Sequence, residues 1–451
     1  MANSPVAEAL STAPAAPPPL RRNWNFQVLW IGATSMTLGV EAVDVAYPLL
    51  VLAISGSPGL AGLFAFVQAA ANVLLGLPIG KLVDRLDHRR TLLFAEGFRA
   101  AATGSVALAL ALGGVTMVHL MVVAAVLGTG AAIGGPVRML LVRSVVPKEQ
   151  LTQALTQDEV REGTAALAGP AIGGVLYGIT RTLPFVVGAA TFVFSLLCAL
   201  VIRLPPKGAQ AGATGVAAGA VGAGDEPEAD ESAATEGSEG AEDAAEGEEA
   251  GAGGMFAGVL ELWRQPALRG ALTLIATFYL VVTAVTLVVV VSLREDQHAS
   301  AGTVGLALTG GAVGMLAGSL LVKWLHAALQ PGRLLVAVSA VAAVCVALLA
   351  LPWGPWWVFV VLLLAHLTLP ALRVLIDIMI LRQVPEDRRG RTIVATMTVL
   401  SVGPPLGTLA SGLLMQFASV DWAILVLAVV QGAVTLYGVR DPQIARAAWP
   451  E

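Results

Sequence analysis

The chain has 451 residues, 56% hydrophobic and only 13% charged, with a mean hydropathy of +0.79. Soluble domains average roughly a quarter charged residues, so the composition excludes an ordinary soluble enzyme, and no nucleic-acid partner is expected. The formal net charge of −5 comes from one segment, Asp225 to Glu249, which carries twelve acidic residues and no basic one.

From the N-terminus, residues 1–23 hold Pro14, Pro17, Pro18 and Pro19 but neither an apolar core nor a cleavage site. They are expected to form a disordered cytoplasmic tail, not a signal peptide. Apolar spans follow at 26–53, 60–78, 91–113, 116–141, 153–178 and 184–203. Runs of about 20 such residues cross a hydrocarbon core about 30 Å thick. Residues 205–254 are rich in Ala, Gly and Glu, lack aromatic residues and lose hydrophobic periodicity. Such a segment cannot bury enough apolar surface to offset its ordering entropy, so a disordered acidic cytoplasmic linker is expected.

Phe256, Leu260, Leu262 and Trp263 then form a short amphipathic stretch suited to a membrane surface. Further spans lie at 269–293, 302–325, 333–352, 355–380, 392–417 and 421–439, before a cytoplasmic tail at 441–451. In lipid every backbone polar group must be satisfied internally, and the alternation of a membrane β-barrel is absent. The expected fold is an all-α membrane protein of twelve transmembrane helices in two pseudo-symmetric six-helix bundles, 24–204 and 255–440. Cys198 and Cys345 fall inside spans and suggest neither a disulfide nor a metal site.

Basic residues set orientation, because cytoplasmic loops are enriched in Lys and Arg. With both termini inside, only Arg181 and Arg294 among the Lys and Arg residues fall in external loops. The halves also echo one another. Pro136-x-Arg138, Val146-Pro147 and Gly169-Pro170-x-x-Gly173-Gly174 occur in the same order as Pro370-x-x-Arg373, Val384-Pro385 and Gly403-Pro404-Pro405-x-Gly407. Internal repeats in a membrane chain put the working site at the interface of the halves.

Between spans two and three runs Gly80-Lys81-Leu82-Val83-Asp84-Arg85-Leu86-Asp87-His88-Arg89-Arg90. Gly80 permits close helix approach, and Asp84 suits the positive end of a helix dipole. The second half offers such an end where span eleven starts after Arg388, Arg389, Gly390 and Arg391. In span five, Gly169-Pro170-Ala171-Ile172-Gly173-Gly174 combines a missing backbone donor with glycines that allow close packing. Gly310, Gly314 and Gly318 of span eight, on one face, are its expected partner.

The Gly80 loop, read as G-x-x-x-D-R-x-x-x-R-R, resembles the signature loop of the major facilitator superfamily. The span-five run resembles the antiporter motif of its export members, with Ala165 where a glycine is expected. Ser35-x-x-x-Gly39, Ala46-x-Pro48, Ser55-Gly56-Ser57-Pro58, Arg99, Val146-Pro147 and Trp263-Arg264-Gln265-Pro266 extend the resemblance. Together they look like the drug- and siderophore-exporting branch, which contains macrolide and enterobactin efflux proteins. The resemblance covers Asn23 to the end of span twelve. It implies a secondary transporter and not an enzyme, exporting a small hydrophobic or amphipathic molecule against proton entry. It implies a cofactor-free monomer in a bacterial cytoplasmic membrane, and it assigns Gly80, Asp84, Arg85, Arg89 and Arg90 to a loop that holds the cytoplasmic side shut. An importer of the same fold and a non-transporting scaffold or sensor are the alternatives.

Ionisable residues inside spans are costly and mark functional positions. Glu41 and Asp44, one turn apart in span one, are the candidates for proton coupling or substrate contact, with Arg138 of span four. Glu96 and Arg99, at i, i+3, are expected to neutralise one another, as are Arg373 and Asp377. Asp158, Glu159, Arg161 and Glu162 are expected to be solvated or ion-paired. Gly76-x-x-x-Gly80-Lys81-Leu82 is one residue short of a P-loop and lacks its Ser or Thr. With no H-E-x-x-H, paired C-x-x-C or G-x-S-x-G, neither cofactor nor metal is expected, and the energy must come from a gradient.

Overall fold

The computed structural model describes residues 19–83, 86–147, 150–202, 266–375 and 386–441, with side chains described outside 77–83, 266–268 and 386–395. The expected disordered tail is corrected at residues 19–23, which are ordered: a 3-10 turn at Leu20–Arg22 buries Leu20 beside Phe26, Leu92 and Leu141, apolar surface the tail reading overlooked. Residues 1–18 and 442–451, the acidic linker and the amphipathic stretch lie outside the described residues. Helices of the first half are α1 (Trp24–Ser55), α2 (Pro58–Val83), α3 (His88–Ala111), α4 (Met117–Val145), α5 (Leu151–Ile179) and α6 (Leu183–Val201). Those of the second are α7 (Pro266–Val291), α8 (Ala301–Ala328), α9 (Pro331–Leu348), α10 (Pro355–His366), α11 (Glu386–Phe417) and α12 (Val420–Arg440). After His366 the chain turns at Leu367 and Thr368 and stays helical to Leu375.

Among the described residues, eleven helices are long and apolar enough to cross a membrane. The exception is α5, where Asp158, Glu159, Arg161 and Glu162 occupy the first half and glycines with Pro170 occupy the second. It still packs lengthwise on α1 and α8, which bury Arg161 while Glu159 and Glu162 stay exposed. Local signals set the helix ends. Asp87, Thr116, Ser300 and Ser419 accept backbone N–H bonds as N-caps, Pro331 and Pro355 open α9 and α10, and Gly56 (φ 59°) ends α1.

Asn23 both starts α1 and joins it to α4. Its side-chain oxygen accepts from Phe26 N at 3.1 Å, while Nδ2 donates to Val145 O at 2.7 Å. Loss of such a cap costs about 1 kcal/mol. Asn23→Ala is expected to lower the melting temperature in detergent, and Asn23→Asp to recover only the share due to the cap.

The halves repeat one packing scheme. The pairs α1–α6, α2–α4, α3–α6, α1–α5 and α3–α4 recur as α7–α12, α8–α10, α9–α12, α7–α11 and α9–α10. Across the halves the main contacts are α5 with α8 and α2 with α11. Call the end that carries the start of α1 and the α2–α3 connection the terminal end. At the opposite end one apolar core is shared by both halves, running from Tyr47, Leu50 and Phe64 to Val288, Val291 and Ile424. At the terminal end the core is split: Phe26, Leu92 and Leu141 pack in the first half, and Phe278, Leu335 and Leu375 in the second. The halves are thus joined at one end and separate at the other.

Candidate substrate cavity and its gate

Where the shared core gives way, a cavity of about 340 Å³ lies between the halves, lined from α1, α2, α4, α7, α8 and α11. The first half contributes Asp44, Tyr47, Gln68 and Asn72. Asp44 is exposed to this space, and Gln68 Nε2 donates to its Oδ1 at 3.4 Å. Tyr47 stacks on Phe64 at 4.6 Å and tilts against Phe185 at 5.0 Å, which stiffens the wall beside the carboxylate. The second half contributes hydroxyls and aliphatic groups: Thr283, Thr286, Leu287, Val290, Leu308 and Thr408. Among the described lining residues Asp44 alone ionises. In a low-dielectric chamber a lone carboxylate attracts a cation far more strongly than in bulk water, and a bound proton cancels that attraction.

Glycine crossings close the opposite end. On α5, a Cβ at Gly174 would meet Ala301 O at 2.4 Å; on α8, one at Gly305 would meet Pro170 O at 2.2 Å. On α2, a Cβ at Gly62 would meet Thr408 O at 2.8 Å, and on α11 one at Gly412 would meet Pro58 O at 2.8 Å. Ser57 Oγ donates to Gln416 Oε1 at 2.5 Å beside this second crossing. Gly169 and Gly173 face the other way, against Glu41 and Ala42 of α1. The Gly-Pro run therefore wedges α5 between α1 and α8. The expected partner Gly310, Gly314 and Gly318 is corrected: these pack on Phe359, Leu363 and Leu367 of the α10 segment, and the α8 partner of the run is Gly305.

Of the two span-one carboxylates, Asp44 reaches the cavity, whereas Glu41 is half-buried where α1 crosses α5. Arg138 does not line the cavity. It is buried against Glu96 of α3, Nη2 to Oε1 at 2.5 Å, so the expected Glu96–Arg99 pairing is replaced by a pair between helices. Arg99 instead lies over the Phe192 ring at 4.5 Å, with Nη1 3.5 Å from Met36 Sδ. Arg161 joins α5 to α1 by donating to Thr37 Oγ1 at 2.9 Å, and it pairs with Asp158 at 3.2 Å and Glu162 at 3.3 Å.

In the signature loop, Asp84 and Arg85 lie outside the described residues, as does Asp377, the expected partner of Arg373. Gly80 falls within α2. Arg89 is turned toward its own bundle, donating Nε to Ala199 O at 3.0 Å and Nη2 to Leu200 O, which caps the end of α6. Arg90 N donates to Asp87 Oδ1 at 3.0 Å. Sequence reading missed Gln68 and Asn72, although two amides one turn apart in an apolar span were a legible signal. It also missed the threonines of α7 and α11, which resemble ordinary helix filler.

Residues 13–224 match the family model described as Transmembrane secretion effector, and residues 271–447 match the one described as Major Facilitator Superfamily. The chain is 30% identical over 187 residues to the multidrug efflux pump Tap of Mycobacterium tuberculosis, spanning 39% of this chain and 44% of that protein. It is 21% identical over 189 residues to macrolide efflux protein A of Streptococcus pyogenes, spanning 41% and 47%. The chain thus matches less than half the length of either relative. A crystal structure of a bacterial homologue of the iron transporter ferroportin in an inward-facing state superposes with TM-score 0.69 at 15% identity, over 95% of this chain and 100% of that one. A bacterial homologue of the human lysosomal transporter Spinster, inward-facing and unoccupied, gives 0.66 at 15% identity, over 96% and 100%. With both halves matched by transporter families, the packing scheme duplicated and a cavity at the seam, the chain belongs to the major facilitator superfamily of membrane transporters.

Proposed function

We propose that this multi-pass membrane transporter exports a small amphipathic cation in exchange for protons, with Asp44 as the group for which cation and proton compete. The observation that carries the reading is the lone carboxylate in an otherwise uncharged cavity wall. A site that holds either a proton or a cation, but not both, is what antiport needs. The volume falls at the lower end of the roughly 300–1,000 Å³ common for small-molecule sites. Export is supported by the efflux activity named for the relatives and by the wedged Gly169-Pro170 run. Glu41, behind Asp44 on α1, is the second candidate for proton coupling. Arg138, held by Glu96, contributes through that pair.

In this reading the protein is a monomer in a bacterial cell membrane with both termini cytoplasmic, so the separated end opens inward. Gly80, Asp84, Arg85 and Arg90 close that end in the alternate state, and residues 205–254 tether the bundles. Reporter fusions after Arg203 and at Glu451 should read cytoplasmic, and one near Gln297 external; a periplasmic signal at Glu451 overturns this orientation.

The test of function uses purified protein in liposomes, with tetraphenylphosphonium as probe and an imposed pH gradient. Wild type should bind and accumulate the cation. Asp44→Asn should lose roughly ten-fold or more in both, the scale expected when one close charge partner is removed in a weakly screening site. Full pH-driven accumulation by Asp44→Asn would refute the assignment.

A further inference from the structure

We propose that protons travel between Asp44 and the terminal end through a buried polar file inside the first bundle, with Glu96 as a second proton-carrying carboxylate, separate from the substrate cavity. This rests on Asp44 being the proton site. Glu96, Arg99 and Thr103 fall at i, i+3 and i+7 and so form one stripe on α3, about 10 Å long. All three are buried: Glu96 and Thr103 at 0% exposure, Arg99 at 7%. None lines the cavity. Arg99 lies within electrostatic reach of both Glu96 and Asp44, and the Tyr47 hydroxyl sits beside Thr103.

Glu96 Oε2 and Arg99 Nε complete no hydrogen bond with any described residue, and the buried Tyr47 and Thr103 hydroxyls have no partner but each other. Each such atom is destabilising if left dry. A cluster of them is what internal water, with two to four partners each, would satisfy. In the second half the buried polar side chains of the described residues are all neutral, Thr309, Ser339, Thr396, Thr408, Ser411 and Gln431, with Gln431 bonded to Ser339. The stripe is thus a feature of the half that carries Asp44.

Around it are Asp44 and Tyr47 of α1, Arg138 of α4 with Arg161 and Asp158 of α5 in its reach, and Phe192 of α6; Glu41 and Glu162 lie where α1 meets α5. Arginine does not release its proton in proteins, so Asp44 and Glu96 are the groups that can exchange one. The Asp44 carboxylic acid passes its proton through the hydroxyls of Tyr47 and Thr103 and intervening water to the Glu96 carboxylate. Asp44 is left ionised for the cation. Glu96 then releases the proton toward Asp158 and Glu162, whose side chains are 21% and 63% exposed. While Glu96 is neutral, Arg138 keeps only the weak, more distant influence of the Asp158 carboxylate, which is itself paired with Arg161, so the neutral state is transient. Separate routes let Asp44 lose its proton with a cation already in the cavity.

Glu96→Gln, Glu96→Asp and Thr103→Val, the last nearly isosteric, are placed in liposomes with tetraphenylphosphonium. Cation binding and cation-for-cation exchange should stay within about two-fold of wild type, while pH-driven accumulation falls roughly ten-fold in Glu96→Gln and several-fold in Thr103→Val. Glu96→Asp should restore most of it. Unchanged pH-driven accumulation in both Glu96→Gln and Thr103→Val, or an equal fall in exchange, overturns the file. A second measurement needs no substrate: infrared difference spectra between acidic and alkaline buffer should show a carboxyl band that Glu96→Gln removes and Asp44→Asn shifts. If wild type does not move the probe, the cavity reading fails and this titration decides the file alone. Absence of a Glu96-dependent band refutes it. If Glu96→Gln does not fold, Thr103→Val carries both measurements: unchanged accumulation, or no shift of the wild-type band, overturns the proposal.

Discussion

Gly305→Ala is expected to hold the end opposite the termini open and to reduce transport by more than about ten-fold, with both bundles still folded. Its Cβ would lie 2.2 Å from Pro170 O, 3.0 Å from Gly174 Cα and 3.1 Å from Pro170 C, all rigid α5 backbone, with no flexible side chain among these nearest atoms to give way. Relief requires α5 and α8 to part by about 1 Å. Overpacking of this kind costs about 1–3 kcal/mol, which shifts a two-state equilibrium by roughly 5- to 150-fold. The cost falls only on the state in which these helices touch. Spin labels at Ser57 and Gln416, facing across the α2–α11 crossing, should report a longer distance in the variant. Gly59→Ala is the control, because its Cβ would meet only the Gln416 side chain, at 3.2 Å. A wild-type distance distribution in Gly305→Ala would mean the crossing does not set the gate.

Glu96→Leu should be the most destabilising single change in the first bundle, and Glu96→Leu with Arg138→Met should recover most of the loss. Breaking a buried pair from one side costs about 3–5 kcal/mol because the remaining charge has no partner, whereas replacing both by apolar groups is often neutral. The asymmetry matters here: Arg138 cannot shed its charge, while a lone Glu96 can take up a proton. Arg138→Met alone should therefore cost less than Glu96→Leu alone. Thermal unfolding in detergent, followed by size-exclusion chromatography, gives the order of the three variants. Equal losses in the two single variants, or no recovery in the double variant, would contradict the pair's role in stability. The double variant should still lose pH-driven transport, which separates stability from proton transfer.

Membrane insertion needs long apolar runs; each of the twelve expected spans appears as a helix, and among the described residues eleven are long and apolar enough to cross. Helix starts also have a local cause, Asp87, Thr116, Ser300 and Ser419 capping through neighbours three residues away, but hydropathy alone placed them only to within a few residues. The span-one acids and the Gly-Pro run likewise stood out, because charge and glycine are conspicuous in lipid-crossing helices. Their partners were not. Glu96 and Arg138 are 42 residues apart, and whether Glu96 meets Arg138 or Arg99 depends on how α3 crosses α4.

Length, membrane embedding, helix count and the duplicated halves follow from the sequence by itself, because the bilayer forces each backbone segment to satisfy its own hydrogen bonds. Only the tertiary structure decided that Asp44 faces the cavity while Glu41, one turn away, abuts α5. It alone matched Gly174 with Gly305, turned Arg89 onto the end of α6, and buried the α3 stripe of Glu96, Arg99 and Thr103 away from the cavity lining. These outcomes depend on rotation and crossing of packed helices, and neighbours in space, not in sequence, determine both.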